Sequence, residues 1–237
     1  MMGHTHALSG AVGWMAVVPL VQGTEILGVS LDFGPGELIA GALVCAGAAL
    51  LPDLDHRNAT ITQTYGVVTR TLSRMLNWVF GGHRNGTHSL LFAALAGLGA
   101  GALALFNELA VQIFVFLIVG IALRGLGLGV PKNQTASGVI NALATAGIVL
   151  ALYASGVDYA WMGLAVAFGC VLHFLGDILT HMGCPLFWPF ITHRVGSNFG
   201  FSTNGTVEKY LVTPVLSIAL ILYSIYLFPW TDLLPEV

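Results

Sequence analysis

Long apolar stretches separated by short polar segments make up most of the chain. Seven of these stretches are almost free of Asp, Glu, Lys and Arg, and most approach the roughly 20 residues that a spanning helix needs. The pattern therefore predicts an all-α, polytopic membrane helix bundle with about seven transmembrane helices. The predicted spans are Ala7–Thr24, Leu38–Pro52, Ser89–Asn107, Leu109–Leu123 with a continuation to Val130, Asn133–Val157, Tyr159–Gly176 and Tyr210–Thr231.

Two longer polar segments join these spans. In the segment after the second span, apolar residues recur at helical spacing over Tyr65–Phe80, while Arg70 and Arg74 share another face. This pattern is typical of a basic amphipathic helix in the headgroup region of a membrane. The segment after the sixth span includes the aromatic cluster Pro185–Phe190, which suits the same interface. We therefore predict an interfacial helix on the basic side of the bundle.

Composition supports the same class of protein. Of the 237 residues, 56% are hydrophobic and 8% are charged, whereas an ordinary soluble domain carries about 25% charged residues. These values exclude a soluble globule, and the hydrophobicity excludes a disordered chain. We predict a single integral membrane domain over residues 1–237. The three cysteines have neither disulfide nor metal-binding spacing and are predicted to be packing residues.

The charges of the polar segments predict the orientation. All eight Lys and Arg residues lie in or next to the segments that follow the second, fourth and sixth spans, and the other segments carry only acidic residues. The positive-inside rule then places the N-terminus in the cytoplasm of a bacterial or archaeal cell, with the bundle in its inner membrane. The first stretch has no basic n-region or cleavage motif, so it is predicted to be a retained helix. A net charge of −3 predicts no nucleic-acid partner.

Histidine and aspartate residues gather at one end of the predicted bundle. The eight histidines equal the Lys and Arg residues in number, and bundles build metal sites from residues that distant segments bring to one level. A polar stripe at the interface is the alternative, but ionisable groups in apolar spans are costly and usually functional. Among the candidates, His173, Asp177 and His181 follow one helix face at i, i+4 and i+8. The candidate metal ligands are His4, His6, Asp53, His83, His88, His173, Asp177 and His181.

A set of His and carboxylate ligands without thiolates favours Zn²⁺, with Mn²⁺ or Fe as alternatives. The candidates are too many for one tetrahedral ion, so we predict two zinc ions and leave a third open. Paired metals stabilise both the attacking and the leaving oxygen in phosphoester cleavage. We assign Asp55, Arg84 and Arg194 as catalytic candidates, since the arginines can bind phosphate, although they also suit a purely topological role. Thr87 is predicted to cap the third span.

Four motifs in combination resemble the YdjM-like family of membrane-bound, metal-dependent hydrolases. They are H-T-H at residues 4–6, L-L-P-D-L-D-H at 50–56, H-R-N-G-T-H-S-L at 83–90 and H-F-L-G-D-I-L-T at 173–180. That family is distantly similar to zinc-dependent phospholipase C and the fungal single-strand nucleases, which are all-helical enzymes that cleave phosphoesters with a cluster of zinc ions. The resemblance implies a membrane-embedded variant of that scaffold.

The resemblance also implies roles for single residues. The zinc enzymes use an H-x-x-x-D motif, whose Asp bridges two metals, together with His and Asp residues of other motifs. The matching positions here are His173 and Asp177 for that motif, Asp53 for the second motif, His88 or His83 for the next, and His6 or His4 for an N-terminal histidine. Those enzymes complete their metal sites with a later His and a later Glu. The candidate counterparts in this chain are His181, His193 and Glu208, although their spacing differs from that in the enzymes.

We therefore predict a metal-dependent hydrolase that acts on a phosphoester, a phospholipid or lipid-linked phosphate, at the cytoplasmic membrane face. A divalent-metal transporter is the alternative, although transporter sites lie near the membrane midplane and often between repeats, and this chain has no visible repeat. A non-catalytic membrane protein with a structural metal is the third possibility, although structural zinc sites are closed by four ligands.

Overall fold

The computed structural model describes residues 1–130 and 133–228, and it confirms an all-α helix bundle. Lys132, Asp232 and Glu236, which contributed to the charge pattern, and Thr231, the end of the last predicted span, lie outside the described residues. Short helical turns cover Leu51–Asp55, Gly86–His88 and Glu208–Val212. The elements are α1 (Gly3–Val21), β1 (Thr24–Ile26), β2 (Val29–Leu31), α2 (Pro35–Ala48), α3 (Thr60–Thr64), α4 (Val67–Val79), α5 (Leu90–Phe106), α6 (Glu108–Gly125), α7 (Gln134–Ala154), α8 (Met162–Ile178) and α9 (Thr213–Leu227).

Each of the seven predicted spans overlaps one long helix. Four helical segments of the described chain are long and apolar enough to cross a membrane, namely Pro35–Asp55, Glu108–Gly125, Gln134–Ala154 and Glu208–Leu227. Helices α5 and α8 are apolar but shorter. The helices are therefore confirmed, whereas the number of membrane crossings stays a prediction.

Helix α2 lies at the centre of the bundle and contacts α1, α6 and α8. Gly10 of α1 and Gly169 of α8 both approach the carbonyl oxygen of Cys45, and a Cβ at these glycines would lie 2.5 and 2.6 Å from that oxygen. Only glycine allows this approach of backbones. Outside this centre, α5 packs on α8, α7 on α6 and α9 on α1. The three cysteines are buried and form no disulfide bond.

The turn after the end of α2 and the turn before the start of α5 bring polar residues to one level of the bundle. Helix α2 ends at Ala48, and the following turn, which contains Pro52, places Asp53 and Asp55 just beyond it. The prediction that Thr87 caps the third long helix is wrong. The Ser89 hydroxyl is the cap, since it accepts from the backbone N–H of Phe92 at 3.2 Å, while the Thr87 hydroxyl is engaged by a carboxylate.

Helix α4 is amphipathic, as predicted, and its polar face is the one turned toward the protein. Thr69 and Ser73 are buried, whereas Trp78 is 84% exposed, and Arg70 and Arg74 are exposed as well. Five more apolar residues of the helix are exposed, namely Val67, Val68, Leu72, Met75 and Val79. A continuous apolar surface of this kind marks an interaction site, and it supports the predicted position at a membrane interface.

The antiparallel hairpin of β1 and β2 was not predicted. It turns through Leu27 and Gly28, both with positive φ, a conformation that two-residue hairpin turns require. The hairpin lies at the end of the bundle opposite Asp53. At this end the backbone N–H of Asp158 donates to the Glu37 carboxylate at 3.3 Å and ties the α7–α8 loop to the start of α2.

Candidate metal centre

Four side chains from three segments converge at the buried end of α8. His88 Nε2 lies 3.2 Å from His173 Nε2, and 3.7 Å from both Asp53 Oδ1 and Asp177 Oδ2. His173 Nε2 lies 3.6 Å from Asp177 Oδ2 and 3.9 Å from Asp53 Oδ1. Zn–N distances of about 2.0–2.1 Å give a tetrahedral edge of roughly 3.3 Å. We call these four atoms the acceptor cluster, and the five distances given are close to those between ligands of one metal ion.

Hydrogen bonds determine which nitrogens of the two imidazoles face the cluster without a proton. His173 Nδ1 lies 2.7 Å from the Ala49 carbonyl oxygen, which can only accept, so Nδ1 carries the hydrogen. The Thr87 hydroxyl donates to Asp55 Oδ2 at 2.6 Å, and its oxygen therefore accepts from His88 Nδ1 at 3.1 Å. In their neutral forms, both rings thus present Nε2 lone pairs to each other.

The acceptor cluster needs a cation. Asp177 Oδ2 is buried and has no hydrogen-bond partner among the residues that the structure describes. A shared proton satisfies one pair of these atoms, whereas a metal ion satisfies at least the three of His88, His173 and Asp177. Burial lowers the pKa of His88 below its usual value, which favours the neutral ring that binds metals. The residues present therefore fit a divalent metal of the kind that nitrogen and oxygen ligands prefer.

Two more histidines flank the acceptor cluster. The His6 ring stacks on His173 with centroids 3.7 Å apart, and its Nε2 lies 3.4 Å from Asp177 Oδ1. His83 approaches from the cavity side, and its side chain is 35% exposed. Three overlapping groups have ligand atoms within 4.8 Å of one another: His6 with Asp53 and His173, Asp53 with His83 and His88, and His88 with His173 and Asp177. An imidazole nitrogen has a single lone pair, so of the residues that these groups share only Asp53, through its carboxylate, could bind two ions.

Asp55 holds the surrounding segment together rather than facing the cluster. Its Oδ1 lies 2.8 Å from His83 Nδ1, and its Oδ2 accepts from the backbone N–H of Arg84 at 3.1 Å and from Thr87. The buried carboxylate therefore orients His83 directly and His88 through Thr87. A carboxylate behind a ligating histidine is a common support in metal sites. This supporting role of Asp55 and Thr87 was not predicted from the sequence.

Arg84 connects the cluster to a cavity. Its Nη2 donates to Asp177 Oδ1 at 3.1 Å, an oxygen that also accepts from the Met1 amino group at 2.6 Å. Its φ of 58° is unusual for a residue other than glycine. Its Nη1 is buried without a hydrogen-bond partner in the described part of the chain. The side chain lines a cavity of about 280 Å³ whose wall also includes Asp53, His56 and His83.

The remaining candidates lie outside this arrangement. His4 is near Thr213 of α9, with Nε2 3.5 Å from the hydroxyl oxygen. Helix α8 ends at Ile178, so His181 is in an exposed turn and does not continue the face of His173 and Asp177. Arg194 and His193 are exposed in the following loop. Glu208 is buried, and its two oxygens accept from the backbone N–H groups of Met2 and Asn204, each at 2.6 Å.

Comparisons with known proteins identify the family. The family described as YdjM inner membrane protein matches residues 1–128 and 137–231. Comparisons with curated proteins and with solved structures found no match. The match covers nearly the whole chain, and the protein therefore belongs to the YdjM inner membrane protein family.

Proposed function

We propose that this YdjM family member is a metal-dependent hydrolase that cleaves a phosphoester of a membrane lipid at the cytoplasmic face. One observation carries the proposal: the buried acceptor cluster opens through Asp53, whose side chain is 18% exposed, onto a cavity where a buried guanidinium nitrogen has no partner among the described residues. A metal site next to an unpaired guanidinium nitrogen suits an anionic substrate, because the metal polarises a phosphoryl oxygen and the guanidinium binds the negative charge.

His88, His173, Asp53 and Asp177 would hold the metal, with zinc as the first choice for this ligand set. When bound there, a divalent metal supplies a Lewis acid for a phosphoryl oxygen and lowers the pKa of an attacking water. The Asp53 carboxylate, which belongs to two of the three groups, could be shared with a second ion. Asp177 is held in place by Arg84 and the Met1 amino group, so its free oxygen stays directed at the two imidazoles.

The cavity wall provides the groups that a phosphate needs. Arg84 Nη1 would donate to a phosphate oxygen, since its Nη2 is already fixed by Asp177. Because His83 Nδ1 is engaged by Asp55, the other ring nitrogen of His83 is the one available for a proton transfer to or from the substrate. The histidine–carboxylate pair keeps the ring in one orientation. Asp55 therefore acts as a positioning residue in this proposal.

The surroundings of the cavity favour a lipid over a soluble polymer. The exposed apolar face of α4 and the exposed Phe187 and Phe190 are suited to the headgroup boundary of a bilayer. Arg70 and Arg74 would attract anionic lipid with about 1 kcal/mol each. His83 and His88 follow α4 closely in the chain, so the cavity opens near the depth at which a lipid phosphate lies.

The charge pattern predicts the orientation of the bundle. A cysteine placed at Arg70 should be labelled by a membrane-impermeant thiol reagent only after the cells are opened, whereas one at Asp32 should be labelled in intact cells, because the basic side faces the cytoplasm. The native cysteines are buried and give a low background. Equal labelling of both positions in intact cells would contradict the orientation.

The hydrolase proposal is tested with metal-loaded protein in bilayers that contain a panel of phospholipids and polyprenyl phosphates. We expect zinc-dependent release of phosphate or of a phosphorylated headgroup, and we expect chelation to abolish it. Replacement of His173 with alanine should reduce the rate by orders of magnitude, since it removes one atom of the acceptor cluster. A full panel without turnover by the metal-loaded protein would overturn the proposal.

A further inference from the structure

The exposed surface of α4 combines an apolar face with positive charge. Successive helical residues are rotated by about 100°, which places Arg70 and Arg74 along one edge of α4, between its exposed apolar residues and the buried Thr69 and Ser73. Residues 56–107 contain four arginines and no Asp or Glu. We call the six exposed apolar residues of α4 together with Arg70 and Arg74 the α4 face. This face is complementary to the surface of a bilayer that contains anionic lipid.

The opposite side of α4 is hydrogen-bonded to the segment that follows α2. The side-chain amide of Asn77 donates to the backbone carbonyl oxygen of Asp55 at 3.0 Å. The Thr69 hydroxyl donates to the carbonyl oxygen of Thr62 at 2.8 Å, and the Thr62 hydroxyl donates to that of His56, also at 2.8 Å. The helix that carries the α4 face is therefore attached to the chain on which the candidate metal centre is built.

Asp55 links the position of α4 to the centre. Its carboxylate forms three hydrogen bonds with the segment 83–87. This segment follows α4 after Gly81 and Gly82, whose φ angles are 74° and 104°. Because glycine permits many backbone conformations, the covalent connection alone does not fix the segment relative to the helix. Asn77 does so, since it binds the backbone of the residue whose carboxylate binds the segment.

We propose that α4 senses anionic lipid and thereby controls the order of the segment 83–87. A lipid surface shifts the population of two arrangements only if it binds one of them better. With Asn77 bound to Asp55, the whole α4 face is free to lie on a bilayer, so anionic lipid stabilises this arrangement. His83 and Arg84 line the cavity of the candidate centre, and lipid composition would then regulate that centre.

The effect on hydrolysis rests on the proposed function, whereas the lipid-dependent order of the segment does not. Hydrogen–deuterium exchange of the full-length protein in nanodiscs measures this order without a substrate, because backbone exchange reports local opening. Discs of phosphatidylcholine are compared with discs that contain equal parts of phosphatidylcholine and phosphatidylglycerol. Exchange is read separately over residues 67–79 and 83–87.

Two variants separate lipid contact from its transmission. The Arg70→Gln, Arg74→Gln double variant removes the charge of the α4 face. Asn77→Leu removes the hydrogen-bond donor to Asp55 and keeps a side chain of similar size. The matched control is the Arg194→Gln, Lys209→Gln double variant, which removes two exposed cations of the basic segments outside α4.

We expect phosphatidylglycerol to slow exchange over both stretches in the wild type by about fivefold or more, the effect of one cation near an anionic surface. The control should respond as the wild type does, and the Arg70→Gln, Arg74→Gln protein should lose most of the response. Asn77→Leu should keep the slower exchange over 67–79 and lose it over 83–87. A general loss of stability would not separate the two stretches in this way.

Three results would overturn the inference: no effect of phosphatidylglycerol on the wild type, a control that loses the response as the Arg70→Gln, Arg74→Gln protein does, or an Asn77→Leu protein that keeps it over 83–87. For regulation of hydrolysis, kcat is measured in the same two lipids with a fixed fraction of a cleaved substrate other than phosphatidylglycerol. It should rise with phosphatidylglycerol in the wild type and not in Asn77→Leu, and an unchanged wild-type kcat would remove the regulation. A normal exchange response without any cleavage would overturn the hydrolase proposal and leave the lipid sensor in place.

Discussion

Replacing Asp177 with asparagine should remove most of the metal that the purified protein binds, together with its phosphoester hydrolysis. Asp177 Oδ2 is an unpaired buried oxygen within the described chain and faces both His88 Nε2 and His173 Nε2. An amide can keep its oxygen toward Arg84 and the Met1 amino group, and then its NH₂ group faces the two imidazoles. A donor replaces a ligand, while the shape of the side chain is preserved. Metal per chain is measured by elemental analysis after loading and dialysis.

His181→Gln is the matched control for this experiment. His181 lies four residues beyond Asp177 and was predicted as a ligand, but it is exposed beyond the end of α8. We expect this variant to keep its metal. The thermal unfolding of both variants without metal should be similar to that of the metal-free wild type. If Asp177→Asn protein retains the full metal content of the wild type, the acceptor cluster is not the metal site.

Replacing Arg84 with glutamine should lower kcat for phosphoester cleavage by roughly 10²–10³-fold, the usual effect of removing one donor that stabilises developing charge. Metal content should change little, because the Met1 amino group and His6 still neighbour Asp177 Oδ1. Arg84→Lys should recover part of the rate, since it keeps the charge but loses the planar fork that binds two acceptors at once.

Arg194→Gln is the control for Arg84, because Arg194 is exposed and does not line the cavity of the candidate centre. This variant should stay within twofold of the wild-type rate. An Arg84→Gln protein with unchanged metal content and a kcat within threefold of the wild type would show that the guanidinium does not contact the reacting phosphate.

The apolar pattern and the charge-free stretches were sufficient to predict the helices, because a span must be apolar along its whole length. The same pattern could not locate the end of α8. Residues 179–182 contain no Pro or Gly, yet the helix ends at Ile178 and Thr180 pairs with Phe201 of the following loop. The prediction that His181 continues the face of His173 and Asp177 was therefore wrong. The sequence alone does not reveal the tertiary contact that accompanies the end of the helix.

The spacing of His173 and Asp177 predicted their convergence, since residues four apart share a helix face. Helical spacing also shows that only one histidine of the H-T-H motif can reach the cluster, but it does not show which one. His4 and His6 lie two residues apart and cannot face the same way, and the packing of α9 on α1 decides that His4 is directed toward Thr213 while His6 reaches the cluster.

Other parts of the structure depend on backbone geometry and on packing between distant segments. The positive φ of Arg84 has no sequence signal, because Gly and Asn are the usual residues in that region. At the opposite end of the bundle, Glu108 and Asp158 contributed only to the charge pattern that predicts the orientation. The bundle brings them together with Gln112 and Tyr159 around one cavity, which no spacing rule would have predicted.

The central claim is that the acceptor cluster binds a metal for hydrolysis of a lipid phosphoester and not for transport. In the most direct test, the protein is reconstituted in sealed liposomes that contain the phospholipids or polyprenyl phosphates that it cleaves, with a metal-sensitive dye inside. Phosphate release and metal entry are recorded in the same sample. We predict zinc-dependent phosphate release that the His173→Ala variant loses, with metal entry no faster than in empty liposomes. Metal entry that depends on His173, without release of phosphate, would contradict the account and favour the transporter.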